Sequence, residues 1–262
     1  MSILFSGDFH AGERKELSAI TKNILVKKYG QDKFDKISYH IILGDGGFMW
    51  LGNQKTDIYN YETLAHRPFP ILCVIGNHEP ILGMKDLNET DIGIGETVYK
   101  INDEPFTAYL KRGKVYTIDG IKFLVLGGAL SIDKHLRTPD KTWWKNEYWD
   151  EQEKKNIFIL LEKDNTFDYV ISHTGPEKIN NYLFKNFPSY GGKSADEVAI
   201  MNDEINEKIH FKEWWCGHWH DDNFYYDMKN QHGYQYLYRK TKIMEKNDDN
   251  FVILNEYNDQ KR

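Results

Sequence analysis

Residues 3–10, Ile3-Leu4-Phe5-Ser6-Gly7-Asp8-Phe9-His10, pass from an apolar run through small residues into side chains able to ligate a metal. The same succession returns four times. Ile41-Ile42-Leu43 precedes Gly44-Asp45, and Ile71 to Ile75 precedes Gly76-Asn77-His78. Tyr169-Val170-Ile171 precedes His173, and Trp214-Trp215-Cys216 precedes Gly217-His218-Trp219-His220. A lone Gly-Asp pair is usually only a turn. Here each apolar run reads as a buried strand, so the polar residues fall where a strand leaves its sheet, the position at which α/β proteins bind ligands. The series predicts five strand ends converging on one crevice.

The chain has 262 residues, a length that suits one large domain with a substantial core. We therefore expect a single domain over residues 1–262, with loop or cap insertions at 79–113 and 129–150. With 34 Lys+Arg against 40 Asp+Glu, the net charge of -6 gives no general nucleic-acid footprint. The two cysteines, Cys73 and Cys216, both lie inside apolar runs, which suits packed thiols in a reducing compartment. No apolar run approaches the roughly 20 residues needed to span a bilayer. The chain opens directly on a core strand, without the features of a secretory leader, so a cytoplasmic location is expected.

Leu17, Ile20, Ile24 and Leu25 recur at helical spacing in a segment closing at Gly30, which predicts the helix of a βαβ unit. A second helix is expected near 58–65, ending before Pro68. From Glu79 to Arg112 the pattern loosens, as in an extended loop. Lys114 to Ile118 and Ile121 to Leu126 flank Asp119-Gly120, a type I′ hairpin signal. A helix is expected around Glu151 to Leu161, and another behind a capping box of Ser194 and Glu197. Aromatic stretches at Tyr225-Tyr226, Tyr234 to Tyr238 and Phe251 to Leu254 read as antiparallel strands.

Carboxylates, imidazoles and a carboxamide oxygen suit Mn²⁺, Fe, Zn²⁺ or Mg²⁺, and no cysteine enters the motifs. Asp8 and His10 are two apart in an extended segment and can face one side, as can His218 and His220. The order Asp-x-His, Gly-Asp, Gly-Asn-His-Glu, a lone His, then Gly-His-x-His, from Asp8 to His220, resembles the calcineurin-like metallophosphoesterases. The resemblance implies the metallo-dependent phosphatase fold, an α+β architecture with an α/β-type core: a four-layer α/β/β/α sandwich of two mixed sheets. It implies two divalent ions, with Mn²⁺ the first choice, bridged by Asp45. Asn77, His173 and His218 would hold one ion, and Asp8, His10 and His220 the other. It also makes His78 the residue that contacts the reacting phosphate. Two ions on the order of 3.5–4 Å apart can activate a water and clamp phosphate oxygens for in-line displacement by hydroxide. His78, next to a ligand but not needed as one, can donate to a phosphate oxygen or to the leaving group.

The chain departs from many relatives after Gly44-Asp45, where they place a second Asp three positions on, often followed by Arg. Here that position is Phe48, and no Arg follows. Ser131-Ile132-Asp133-Lys134-His135-Leu136-Arg137 offers replacements at another strand end, with Arg137 to bind phosphate and Asp133 to orient His78; a surface salt bridge between the two is the plainer alternative. The segment resembles one found in small bacterial and phage members of the family. Trp143, Trp144, Tyr148 and Trp149 follow; packing beneath a loop is their ordinary role and base stacking the other. Glu79 reads as a support for the Asn77-His78 turn, while His40, His66, His210 and His232 match no motif and read as ordinary hydrogen-bonded or surface histidines. Lys178, Lys185 and Lys193 read as solvated surface charge. The expected substrate is a phosphorylated small molecule or nucleotide, as a phosphomonoester or phosphodiester; a nuclease of the same superfamily and a metal-binding scaffold are the alternatives.

Overall fold

A computed structural model describes residues 1–10, 20–49, 67–80, 87–101, 105–184, 196–247 and 250–254. Two mixed sheets pack face to face. The first is built around three parallel strands, β1 (Ser2–Ser6), β2 (Ile37–Ile42) and β3 (Ile71–Val74). Beyond β3 it continues through β6 (Thr107–Leu110), β5 (Val98–Lys100) and β4 (Glu89–Thr90). On the other side of β1 it ends with β13 (Lys242–Asn247) and β14 (Asn250–Leu254). The second sheet runs in the order β11 (Asn223–Asp227), β12 (His232–Tyr236), β10 (Glu213–Cys216), β9 (Tyr169–Ile171), β8 (Ile121–Val125), β7 (Lys114–Ile118).

Alternation along the strands builds the layers. Ile3 and Phe5 of β1 face the second sheet, meeting Phe123, Ile171 and Trp215, whereas Leu4 faces outward against Leu25 and Phe34. Those outer partners belong to α1 (Lys22–Tyr29) and α2 (Gln31–Phe34). On the second sheet Trp215 faces inward and Trp214 outward, onto α3 (Glu151–Lys163), α4 (Glu177–Phe184) and α5 (Glu197–Asn206). The result is the expected α/β/β/α sandwich. Among the described residues, no helix is long and apolar enough to cross a membrane.

Local signals account for most boundaries. The Thr21 side chain caps α1, and Gly30, at φ 88°, closes it. Asp119 and Gly120 both have positive φ, 54° and 79°, as a type I′ turn between β7 and β8 requires. Asp150 and Glu153 form a capping box on α3. Cys73 and Cys216 are buried and free.

Three expectations change. The stretch from Glu79 to Arg112 is not a loop throughout: β4, β5 and β6 lie within it, and β6 pairs in parallel with β3. Thr107-Ala108-Tyr109-Leu110 carries too few large aliphatic residues to stand out as a strand, yet all four are buried. The cap of α5 is Asp196, whose side chain accepts from the Val198 amide, instead of the expected Ser194. Ser194 lies outside the described residues, as do Leu17 and the helix expected over 58–65. The aromatic strand β12 pairs antiparallel with β11 but parallel with β10.

His40, on β2, is wholly buried, with Nε2 2.6 Å from Ser6 Oγ. Burial first, and the nearby Arg67 charge second, push its pKa down to about 3. An unfolded histidine titrates near 6.5. As pH falls below that value the unfolded chain therefore gains a proton that the folded chain refuses until about pH 3. In metal-free protein, urea unfolding should show stability falling between pH 7 and pH 5, with His40 contributing up to about 1.4 kcal/mol per pH unit. His40→Gln should remove that share of the slope; an unchanged slope would refute the assignment.

Candidate metal centre

Asp45 is the middle of the site. It leaves β2 at φ 48°, and its carboxylate, 2% exposed, lies where the ends of β1, β2, β3 and β9 meet. Its Oδ1 accepts from the His78 amide at 3.0 Å. Its Oδ2 lies 3.3 Å from His173 Nε2, 3.8 Å from His78 Nε2 and 3.9 Å from His10 Nε2. The backbone continues the convergence, with the His10 amide donating to the Asp45 carbonyl at 2.9 Å.

The approach is close enough to dictate glycine at two neighbours. Gly44 has φ 85°, and a Cβ there would stand 2.2 Å from His173 Nδ1. A Cβ on Gly76 would stand 2.1 Å from Asp45 Oδ1. Strain is concentrated here as well. Asp8, His10, Asp45, His218 and His220 all have φ between 47° and 68°, a region that costs a non-glycine residue on the order of 1 kcal/mol.

On one side of Asp45, His10 Nε2 stands 3.0 Å from His220 Nε2 and 3.9 Å from Asp8 Oδ1. On the other, His173 Nε2 stands 2.9 Å from Asn77 Oδ1. His218 lies beside that group, its ring 5.0 Å from that of His173, and its amide donates to Asp8 Oδ2 at 2.8 Å. The structure thus gathers Asp8, His10, Asp45, Asn77, His173, His218 and His220 at one place. Among the described residues, three sets of ligand atoms lie close enough to hold an ion: Asp8, His10 and His220; His10, Asp45 and His78; Asp8, Asp45 and His173.

Donor chemistry tests whether cations fit. His173 Nδ1 is 2.9 Å from the Leu43 carbonyl, a contact that places a proton on Nδ1 and, in the neutral ring, turns the Nε2 lone pair towards Asn77 Oδ1 and Asp45. Two lone-pair donors and a carboxylate face one another, an arrangement a cation satisfies. Asp8 and Asp45 are buried carboxylates, and burying such charge demands compensation. In the metal-free protein imidazoles supply it. Burial would lower the His173 pKa, but Asp45, then Asp8 and the Leu43 carbonyl, raise it to about 10. Burial likewise opposes ionisation of Asp45, yet His173, His78 and His10 hold it well below the usual carboxylate range. The residues present fit divalent cations.

His78 occupies the open side of a cavity of about 340 Å³ lined also by His10, Asp45, Asn77, Asp133, Arg137 and His220. Burial, partly opposed by Asp45, pushes its pKa down to about 4, with Arg137 adding to the depression. Asp133 lines the same cavity as His78, and its charge opposes the lowering of the His78 pKa. It pairs with Arg137 at 2.7 Å, and the Arg137 guanidinium lies 2.7 Å from His78 Nε2 and 3.1 Å from Nδ1. Arg137, expected as a phosphate binder, thus also contacts the His78 ring. Phe48, which stands where many relatives carry Asp, is wholly buried against Tyr109 in the outer core.

Glu79 accepts from the amides of Gly76, at 2.6 Å, and Gly47, at 3.4 Å, tying the Asp45 and Asn77 loops together. Burial and the nearby Asp45 carboxylate push its pKa up to about 8. Trp149 is buried and donates to the Gly127 carbonyl at 2.7 Å, and Tyr148 packs on the same outer core, so both serve packing. Lys134 lies 4.0 Å over the Trp143 ring. Lys178 pairs with Glu207 at the surface, whereas Lys185, Lys193 and His66 lie outside the described residues. Sequence reasoning overlooked Glu147, a wholly buried carboxylate joined through Ser131 to Asn77. Nothing in its local sequence signals burial.

No curated protein matches the chain in sequence. Among solved structures, GAP50, described as the anchor in the inner membrane complex of Plasmodium, gives a TM-score of 0.53 at 9% identity, over 97% of this chain and 83% of that one. A putative 5'-nucleotidase from Staphylococcus aureus in complex with alpha-ketoglutarate gives 0.51 at 11% identity, over 97% of this chain and 53% of that one, so this chain spans about half its length. The phosphopantetheinyl hydrolase of Mycobacterium tuberculosis gives 0.48 at 12% identity, over 91% and 90%. At such identities the likeness is one of fold. The sequence profile of the calcineurin-like phosphoesterases matches residues 1–222, a span that holds all five strand-end motifs, and the chain belongs to that family.

Proposed function

We propose that this protein is a binuclear metal-dependent hydrolase of phosphomonoesters or phosphodiesters. The observation that carries the reading is the gathering of six residues with oxygen or nitrogen donors around the buried Asp45 carboxylate, beside a cavity that His78 and Arg137 also line. Asn77, His173 and His218 would hold one ion and Asp8, His10 and His220 the other, and Asp45 would serve both. Two divalent cations so placed, Mn²⁺ foremost and Fe, Zn²⁺ or Mg²⁺ as alternatives, supply charge compensation for a phosphate and lower the pKa of a water.

The chain's own groups do the rest. Arg137 presents a planar fork of donors to the phosphate oxygens, and Asp133 steadies the guanidinium from behind. Both His78 ring nitrogens face the Arg137 guanidinium, so once Arg137 turns to a bound phosphate the neutral ring donates its N–H to a phosphate or leaving-group oxygen. A phosphate dianion brought against the ring raises its pKa and favours proton donation as the ester bond breaks. A cavity of about 340 Å³ matches a small phosphorylated molecule or nucleotide.

Purified protein supplied with Mn²⁺ should hydrolyse a chromogenic phosphomonoester or phosphodiester, and both a chelator and Asp45→Asn should abolish turnover. Metal-loaded protein inert towards both esters, and towards nucleotides and oligonucleotides, would refute the enzyme reading; cleavage of oligonucleotides alone would make it a nuclease. His78→Asn should lower kcat by about 10²–10⁴-fold with metal content intact, and unchanged turnover would remove His78 from the chemistry. Arg137→Ala should cost about 10–100-fold in kcat/KM, the worth of a charged hydrogen bond; wild-type kinetics would show that Arg137 does not bind the phosphate.

A further inference from the structure

Asn77 is useful to a cation only through its oxygen, and a carboxamide can turn either end towards the site. Its Nδ2 donates to Ser131 Oγ at 2.9 Å, which leaves Oδ1 facing His173 Nε2. Ser131, having accepted that bond, passes its own proton to Glu147 Oε2. Asn77, Ser131 and Glu147 are all buried, Glu147 completely. The far end of the chain is anchored too. Arg112 donates to the carbonyls of Asn146, at 3.0 Å, and Tyr148, at 2.9 Å, on either side of Glu147, while pairing with Glu153 of the α3 capping box.

We propose that Ser131 and Glu147 are positioning residues for one of the two metal ions: their buried hydrogen-bond relay holds the Asn77 carboxamide with its oxygen towards the ion shared with His173. The inference rests on the metal-site reading given above. A buried carboxylate is costly, and Glu147 has Trp143 and Tyr148 as polar partners besides Ser131. Here the cost is offset by a proton chain with a single direction, from Asn77 to Ser131 to Glu147. Only an acceptor at Glu147 keeps that direction, because a donor there would compete for the Ser131 oxygen and release the amide.

Calorimetric titration of metal-free protein with Mn²⁺ alone tests the relay, since it reads ion affinity and not turnover. Ser131→Ala and Glu147→Leu should weaken one of the two Mn²⁺ sites by about 10–100-fold and leave the other near wild type. Glu147→Gln keeps an acceptor oxygen and should bind close to wild type. Thermal melts of the metal-free variants check folding; should Glu147→Leu fail to fold, Ser131→Ala, which removes one oxygen, decides. Two wild-type sites in Ser131→Ala, equal weakening of both sites, or a loss in Glu147→Gln as large as that in Glu147→Leu would overturn the relay. Wild-type protein that takes up no Mn²⁺ would overturn the relay and the metal-site reading together. Two tightly bound ions without ester hydrolysis would overturn only the proposed activity.

Discussion

The buried carboxylate of Asp45 is the constraint on which the rest of the site depends. A carboxylate in a protein interior must be met by positive charge and hydrogen bonds. This one is met by three imidazoles and a backbone amide drawn from three other strand ends. Satisfying it brings β1, β3 and β9 so close to β2 that side chains are excluded at Gly44 and Gly76. It also coincides with left-handed backbone at five of the seven gathered residues. Strain of that kind persists only where the surroundings over-determine it, and here the surroundings are two packed sheets.

The two sheets divide the work. Asp8, His10, Asp45, Asn77 and His78 come from the first sheet, and His173, His218 and His220 from the second. The His218 amide donates to Asp8, and His173 Nδ1 meets the Leu43 carbonyl across the same junction. The inner core that joins the sheets, with Phe5 4.6 Å from Trp215, therefore sets the spacing of the site. Neither sheet alone carries all seven gathered residues.

The position after Asp45 where many relatives carry Asp takes a packing role here. Phe48 packs on Tyr109 in the outer core. Arg137, 59 residues beyond His78 in the chain, contacts the His78 ring. The segment that carries Arg137 also supplies Ser131 behind Asn77. Residues 131–147 thus approach the site from two directions, before and behind the ligands.

The sequence by itself determined the five strands, their order along the chain and the polar residues at their ends. Those signals are local: an apolar run of a few residues followed by glycine and a ligand reads the same in any context. The Asp119-Gly120 turn, the helix over 151–161 and the identity of the seven gathered residues were legible for the same reason. Tertiary structure decided what depends on neighbours distant in sequence. Thr107 to Leu110 is a strand because β3 offers it an edge, not because its residues favour one. Asp133 pairs with Arg137, and Glu147 is buried behind Asn77, because the packing of the 129–150 segment sets which partner each carboxylate meets. A side chain's type is written in the sequence, but its partner and its protonation follow from burial and distance, which exist only once the sheets have closed.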